Sequence, residues 1–375
     1  MNQIVKKKVV LVLKIVGGLI ASFVLLLLAG FLAVRFNLTR TAGDVDSNTN
    51  FYNSLANNLA ANFLPSSQDK ESVSDAKVYC SLYILSDYAD YNTATILSVY
   101  ENNKSYEIAE KMILAVQLRL KNNQELSNKL SVCNQEDVPK INLTWLQEKL
   151  KNPKQANIFE WQNEEPWQII RQAVIKDKDQ INRVGQELNI SPRLILSVAI
   201  VEQLRLYYTQ RELFERVFKP LKILASANKM AWGVMSIKEA AAILAENNLK
   251  DSKSTFYLGD KYEHILDFST SDITKERYGR LTDEKNHYYS YLYGGVIIKE
   301  FIAQWQKAGY DIENRPEILA TLFNIGIQNS RPKENPQVGG SKITIGKSDY
   351  VFGSLAYEFY YSGDLINEFP YSNNK

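Results

Sequence analysis

Histidine is almost missing from this chain: His264 and His287 are the only two among 375 residues. Zinc-dependent hydrolysis gathers several clustered ligands, so no metal centre is expected. No glycine-rich phosphate loop and no serine–histidine arrangement is present, and no cofactor is expected. Formal net charge is only +2, and no long basic run occurs beyond the amino terminus. Nucleic acid is therefore not an expected partner. Cysteine is equally scarce. Cys80 and Cys133 could pair in an exported protein and staple one amino-terminal module, or they could be two buried free thiols. Strand signals are few, with Thr255–Leu258 and Lys342–Ile345 the best short candidates. No repeat of fixed period demands a solenoid.

Long apolar runs are absent too, with one exception. Ile15 to Val34 is a stretch of 20 residues without a charge, preceded by Lys6, Lys7 and Lys8. At about 1.5 Å per residue it matches a hydrocarbon core of roughly 30 Å. Lys14 at its edge can snorkel to the interface. A cleaved signal peptide normally has an apolar region of only about 7–15 residues, so an uncleaved signal anchor is the expectation for residues 1–40. The lysines favour a cytoplasmic amino terminus, with Arg35 and Arg40 opposing them. A single-pass protein, with its mass outside the cytoplasm, follows.

What remains is helical in pattern. From Phe51 to about Cys133 glycine and proline are rare, and Ile108, Met112, Ile113, Val116 and Leu120 fall at helical spacing. Three or four helices are expected in a module of residues 50–160. Polar residues 142–166 connect it to a second helical block, residues 165–370. There, Asn189 to Pro192 reads as a helix start, with Ser191 as cap and Pro192 at the first helical position. The expected fold is mostly α, with at most a small β element.

Glu202 is the most informative residue. It lies in a mostly apolar helix, Pro192 to Leu206, where Ile195, Val198, Ala199 and Leu206 share its face and Arg205 stands at the edge. Such a carboxylate loses hydration, which disfavours its charged form unless an arginine compensates. A carboxyl that keeps its proton can serve as general acid. A structural carboxylate paired with Arg205 or Arg211, or capping a neighbouring helix, is the alternative.

Three further segments follow in order: Ala231 to Ile237 (AWGVMSI) before a helix, Tyr291 to Trp305 opened by Gly294 and Gly295, and Ala320 to Gly326 (ATLFNIG) closing a helix that starts after Pro316. Together with the Glu202 helix they resemble the lysozyme-like lytic transglycosylases. That family ends a helix "P-x-L…A…E-S"; Pro192, Leu194, Ala199 and Glu202 match, and Gln203 replaces the Ser. Its "G-L-M-Q-I" segment corresponds to Gly233, Val234, Met235, Ser236 and Ile237, with Ser236 at the Gln. Its "A-Y-N-A-G" corresponds to Leu322 to Gly326, with Phe323 at the Tyr and Asn324 at the Asn. Tyr350-Val351 is similar to a Tyr-Val pair that often follows in the family.

The resemblance covers about residues 165–365. It implies that Glu202 cleaves the bond between N-acetylmuramic acid and N-acetylglucosamine in peptidoglycan and then acts as base while a 1,6-anhydro ring closes. It implies substrate contacts from Gln203, Gly233, Met235, Ser236, Phe323, Asn324 and Tyr350. Peptidoglycan glycan strands are the expected partner, with the inner membrane and a cell-envelope machinery beside them. A hydrolytic muramidase needs a second carboxylate, for which Asp260, Glu263 and Asp267 are candidates. Tyr288, Tyr289, Tyr291 and Tyr293 could stack on sugar faces or pack in the core. A catalytically silent scaffold that binds the wall is the third reading, and the departures at Gln203 and Ser236 favour it.

Overall fold

The computed structural model describes residues 71–371 apart from 121–123, 136 and 209–230, together with short helical pieces between residues 14 and 29. Most of the expected signal anchor and the alternative partner Arg211 lie outside the described residues. Among the described residues, no helix is long and apolar enough to cross a membrane.

The protein is mostly helical. Four helices begin the part of the chain described from residue 71: α1 (Glu71–Leu85), α2 (Asp90–Asn103), α3 (Tyr106–Arg119) and α4 (Gln124–Ser131). Ser105 caps α3 by accepting from the Ile108 amide, and Lys104 turns the chain out of α2 in the left-handed conformation. A 3-10 turn, Val132–Asn134, follows α4 and places Cys133 against α1, where it is bonded to Cys80. Both sulfur-bearing residues are buried. The short α5 (Leu143–Leu150), capped by Asn142, packs on α2.

The second block holds α6 (Glu165–Lys176), α7 (Lys178–Leu188), α8 (Pro192–Tyr208), α9 (Glu239–Lys250), α10 (Ile273–Thr282), α11 (Tyr288–Lys307), α12 (Pro316–Ile325) and α13 (Phe352–Tyr361). Two small antiparallel hairpins accompany them: β1 (Ala231–Trp232) with β2 (Ile237–Lys238), and β3 (Lys342–Ile345) with β4 (Ser348–Val351). The strand expected at Thr255–Leu258 is absent. Those residues turn, because Ser254 bonds back to Asp251 and Tyr257 back to Ser254, and local bonds of that kind preclude a ladder.

Helix α8 is the axis of this block. It starts at Pro192, where the sequence signal puts it, with the Ser191 carbonyl accepting from Leu194 and Ile195. Apolar residues surround it on every side, and it packs against α6, α7, α11, α12, α13 and β3. Its first turn carries Arg193, which is fully buried. The guanidinium donates to four carbonyls of α13 and the segment after it: Tyr360 (2.7 Å), Asp364 (2.8 Å), Phe369 (3.1 Å) and Phe359 (3.2 Å). These include the last carbonyls of a helix, where a cation is favoured.

The two blocks share one hydrophobic core. Helix α3 lies on α13, and Arg119 donates from Nε to Glu358 at 3.0 Å. Trp161, in the connection, packs edge-on against Trp167 of α6 and touches Phe359 of α13.

Candidate functional site

Glu202 sits less than two turns from the end of α8 and is only 4 % exposed. Arg205, one turn on, reaches back and donates to Glu202 Oε2 from both Nε, at 3.1 Å, and a terminal guanidinium nitrogen. The guanidinium is itself buried. The i, i+3 spacing makes this contact available on any helix, and the dry surroundings strengthen it. Removing one partner of such a pair costs about 3–5 kcal/mol, because the other is left as a buried bare charge. Both of these hydrogen bonds fall on Oε2.

Gln203 follows Glu202 on α8. Its side-chain amide donates to the Val234 carbonyl at 2.6 Å. The residue that departs from the family pattern thus fastens α8 to the turn between β1 and β2. That turn is tight. Ser236 bonds back to Gly233, and both have positive φ, +70° at Gly233 and +50° at Ser236. A side chain at Gly233 would collide with the Leu281 carbonyl and with Ser290. Met235 points inward, fully buried, and its amide donates to Ser290 Oγ at 3.2 Å.

Gly294 and Gly295 do not open α11, as expected from the sequence; they lie inside it. A Cβ at Gly294 would stand 2.5 Å from Met235 Cε, and one at Gly295 2.5 Å from Leu188 Cδ1. Bare backbone there lets the hairpin seat on one side of α11 and α7 close on the other. Asn324, at the end of α12, accepts at Oδ1 from the Ser341 amide (2.8 Å) and hydroxyl (3.0 Å). It thereby fixes the approach to β3, which lies against α8. Phe323 beside it is half-buried and packs on the core.

The structure therefore brings Glu202, Gln203 and the Gly233–Ser236 turn together, with Asn324 and β3 packed onto the same helix. Other candidates lie elsewhere. Tyr350 is buried, with the Arg119 guanidinium 4.1 Å from its ring centre. It presents no face to a sugar. Burial and the nearby Glu358 raise its hydroxyl well above the ordinary tyrosine range. The tyrosines of α11 are fasteners. Tyr291 donates to Asp177 at 2.9 Å, Tyr293 to Glu246 at 2.6 Å and Tyr288 to Glu187, while Arg280 stacks 4.3 Å over Tyr289. Asp260 and Asp267 are engaged on the surface, by Tyr257 and by Lys250 and His264. Neighbouring Tyr262 donates to the Leu188 carbonyl at the end of α7.

A carboxyl of the kind expected at Glu202 does exist, at Glu300 of α11. It is fully buried, and its described contact is a 3.3 Å bond from Asn248. Burial pushes it well above the usual carboxylate range, against the smaller opposing effect of that bond. Nothing in the sequence singles it out, because Glu300 falls in an ordinary helical stretch. Among the described residues no cluster of His, Cys, Asp and Glu could hold a metal. Comparison with protein-family models, with curated proteins and with solved structures gives no match.

Proposed function

We propose that this chain acts on the glycan strand of bacterial peptidoglycan, as a lytic transglycosylase in which Glu202 is acid and then base. The observation that carries the reading is the Gln203–Val234 bond. It joins the helix of the candidate acid to the turn that resembles the family's glycan-binding segment. Asn324 and β3 support the same side of α8. Asp260 and Asp267, the carboxylates a hydrolase would need beside Glu202, bond instead to Tyr257, Lys250 and His264, which favours ring closure by the sugar's own hydroxyl over a water.

The Cys80–Cys133 bond supports an export destination, since disulfides persist in oxidising compartments. With the apolar run 15–34, it favours an inner-membrane anchor and a periplasmic or external body. A second reading is a silent wall-binding scaffold. Arg205 on Glu202 favours it, because the ion pair occupies the carboxylate that the chemistry would use.

The test is incubation of the full chain, in mild detergent, with purified peptidoglycan beside Glu202→Gln. Mass spectrometry of the released fragments is expected to find 1,6-anhydro ends with the wild type and none with the variant. Reducing ends would point to a muramidase instead. Binding to the wall without release by either protein would establish the scaffold.

A further inference from the structure

A carboxyl group is almost never sealed inside a protein without donors or a counter-ion. Glu300 of α11 is sealed in that way. It is fully buried and accepts one bond, 3.3 Å long, at Oε2 from the side-chain amide of Asn248. Among the described residues Oε1 has no hydrogen-bond partner. A carboxylate can only accept, whereas a neutral carboxyl also donates, so the place suits the protonated form. The charges on the elements around it are engaged elsewhere. Glu239 and Glu246 of α9 face Arg277 of α10 at 3.7 and 2.7 Å, and Lys250 at the end of α9 reaches Asp267. Glu187 of α7 pairs with Arg183, Glu202 of α8 with Arg205, and Glu317 of α12 with Arg315. Within α11, the Lys299 ammonium lies over Tyr262, and Lys307 bonds the Ser254 and Tyr257 carbonyls. Burial is left as the main influence on Glu300, and it pushes the carboxyl well above its usual range.

Asn248 ties this group to a wider seam. It stands in the last turn of α9, half-buried, and its Oδ1 accepts from Ser254 Oγ at 3.0 Å. Ser254 Oγ in turn accepts from the Phe256 amide at 3.1 Å. One chain of polar contacts therefore runs from the interior of α11 to the surface turn that follows α9. The earlier part of α9 is held by other means. Arg277 grips Glu239 and Glu246, and Tyr293 donates to Glu246 at 2.6 Å. That grip ends at Glu246. Beyond it Asn247 is exposed, and a short outward movement of the helix end brings water to Glu300.

We propose that the proton on Glu300 is a latch. While the carboxyl is neutral, Asn248 and Ser254 stay docked on α11; when it ionises, the last turn of α9 and the turn at 251–257 swing out and hydrate it. The device is independent of the glycan reading, because β2 and the Gln203–Val234 bond lie on the other side of the hinge. The direction follows from linkage. Below the ordinary Glu value the group is neutral in both the shut and the open form, and the seam is shut. Above that value the open form loses its proton first. Each further pH unit then favours opening about tenfold, until the shut form ionises as well.

Amide hydrogen exchange on the full chain in mild detergent, resolved by peptide with mass spectrometry, tests the latch. Wild type is compared with Glu300→Gln, which keeps the shape and cannot ionise. Taking the ratio of their opening rates at each pH cancels the intrinsic pH dependence of exchange. For residues 247–257 the ratio is expected to rise on the order of tenfold between pH 5 and pH 6, while for residues 239–246 it stays flat. A flat ratio at 247–257 overturns the latch. An equal rise over the whole body overturns it too, since the charge then acts on global unfolding. Should Glu300→Gln fail to fold, the Glu300 carboxyl carbon of the wild type is followed by NMR with labelled glutamate. Titration well above the ordinary value, in step with exchange at 247–257, supports the latch, and titration at the ordinary value refutes it.

Discussion

Arg119, at the last position of α3, and Glu358, within α13, lie 239 residues apart in sequence and form an ion pair in which the carboxylate is fully buried. The bond spans the two helical blocks, so neither block has an electrostatically complete surface alone. Arg119→Met would leave that carboxylate to be neutralised and should cost about 3 kcal/mol. Thermal unfolding followed by circular dichroism would read this as a lower midpoint of one shared transition. Two separate transitions in the wild type would show instead that the blocks unfold independently.

The disulfide closes a loop of 53 residues in the amino-terminal helices. In the chain-entropy description, a loop of this size is worth about 4 kcal/mol. Cys80→Ser/Cys133→Ser should lower the unfolding midpoint in the absence of reductant. Because both cysteines are buried, mild reductant added to the folded wild type should leave them oxidised, which thiol labelling would check.

Glu300 should make the protein less stable in base. Its folded-state carboxyl is raised, so its contribution is harmless below the ordinary Glu value and becomes a growing penalty as pH rises above it. Glu300→Gln keeps the shape and removes the charge. A gain on the order of 2 kcal/mol is expected at pH 8 and almost none at pH 4, measured by denaturant titration at the two values.

His287 carries the opposite partner type. It accompanies Asp177 at 2.6 Å, and that hydrogen bond raises its imidazole above the usual value against the effect of partial burial. Stability from the pair is complete below about pH 6.5 and fades as pH rises through the raised value. His287→Gln should therefore cost about 1 kcal/mol at pH 6 and less at pH 9. Equal losses at both values would contradict an ionised pair.

Much of the framework was legible in the sequence. Helices α8 and α12 begin at Pro192 and Pro316, where a proline at the first helical position announces them, and β3 follows the alternation of Lys342–Ile345. The hairpin of β1 and β2 was not legible, since strands of two residues carry no periodicity and depend on the Gly233 turn. Arg205 was visible at the edge of the Glu202 face, but spacing alone leaves its rotamer undecided. The tyrosines of α11 read equally well as sugar platform or packing, and only their carboxylate partners, 47 to 114 residues away, decide the matter. Arg193 looked like an ordinary first-turn residue, because its acceptors lie 166 to 176 positions further on.

That last arrangement reaches beyond stability. Helix α8 carries Glu202 near one end and Arg193 at the other, and Arg193 is gripped by carbonyls from Phe359 to Phe369. The tail of the described chain is thus a dowel driven into the foot of the helix that bears the candidate acid. A protease trimming behind Tyr361 would remove two of the four carbonyls without touching the site, yet it would loosen the helix from below. For anyone handling this protein, cleavage at that remote tail is a route to loosening the Glu202 helix that inspection of the site alone would not reveal.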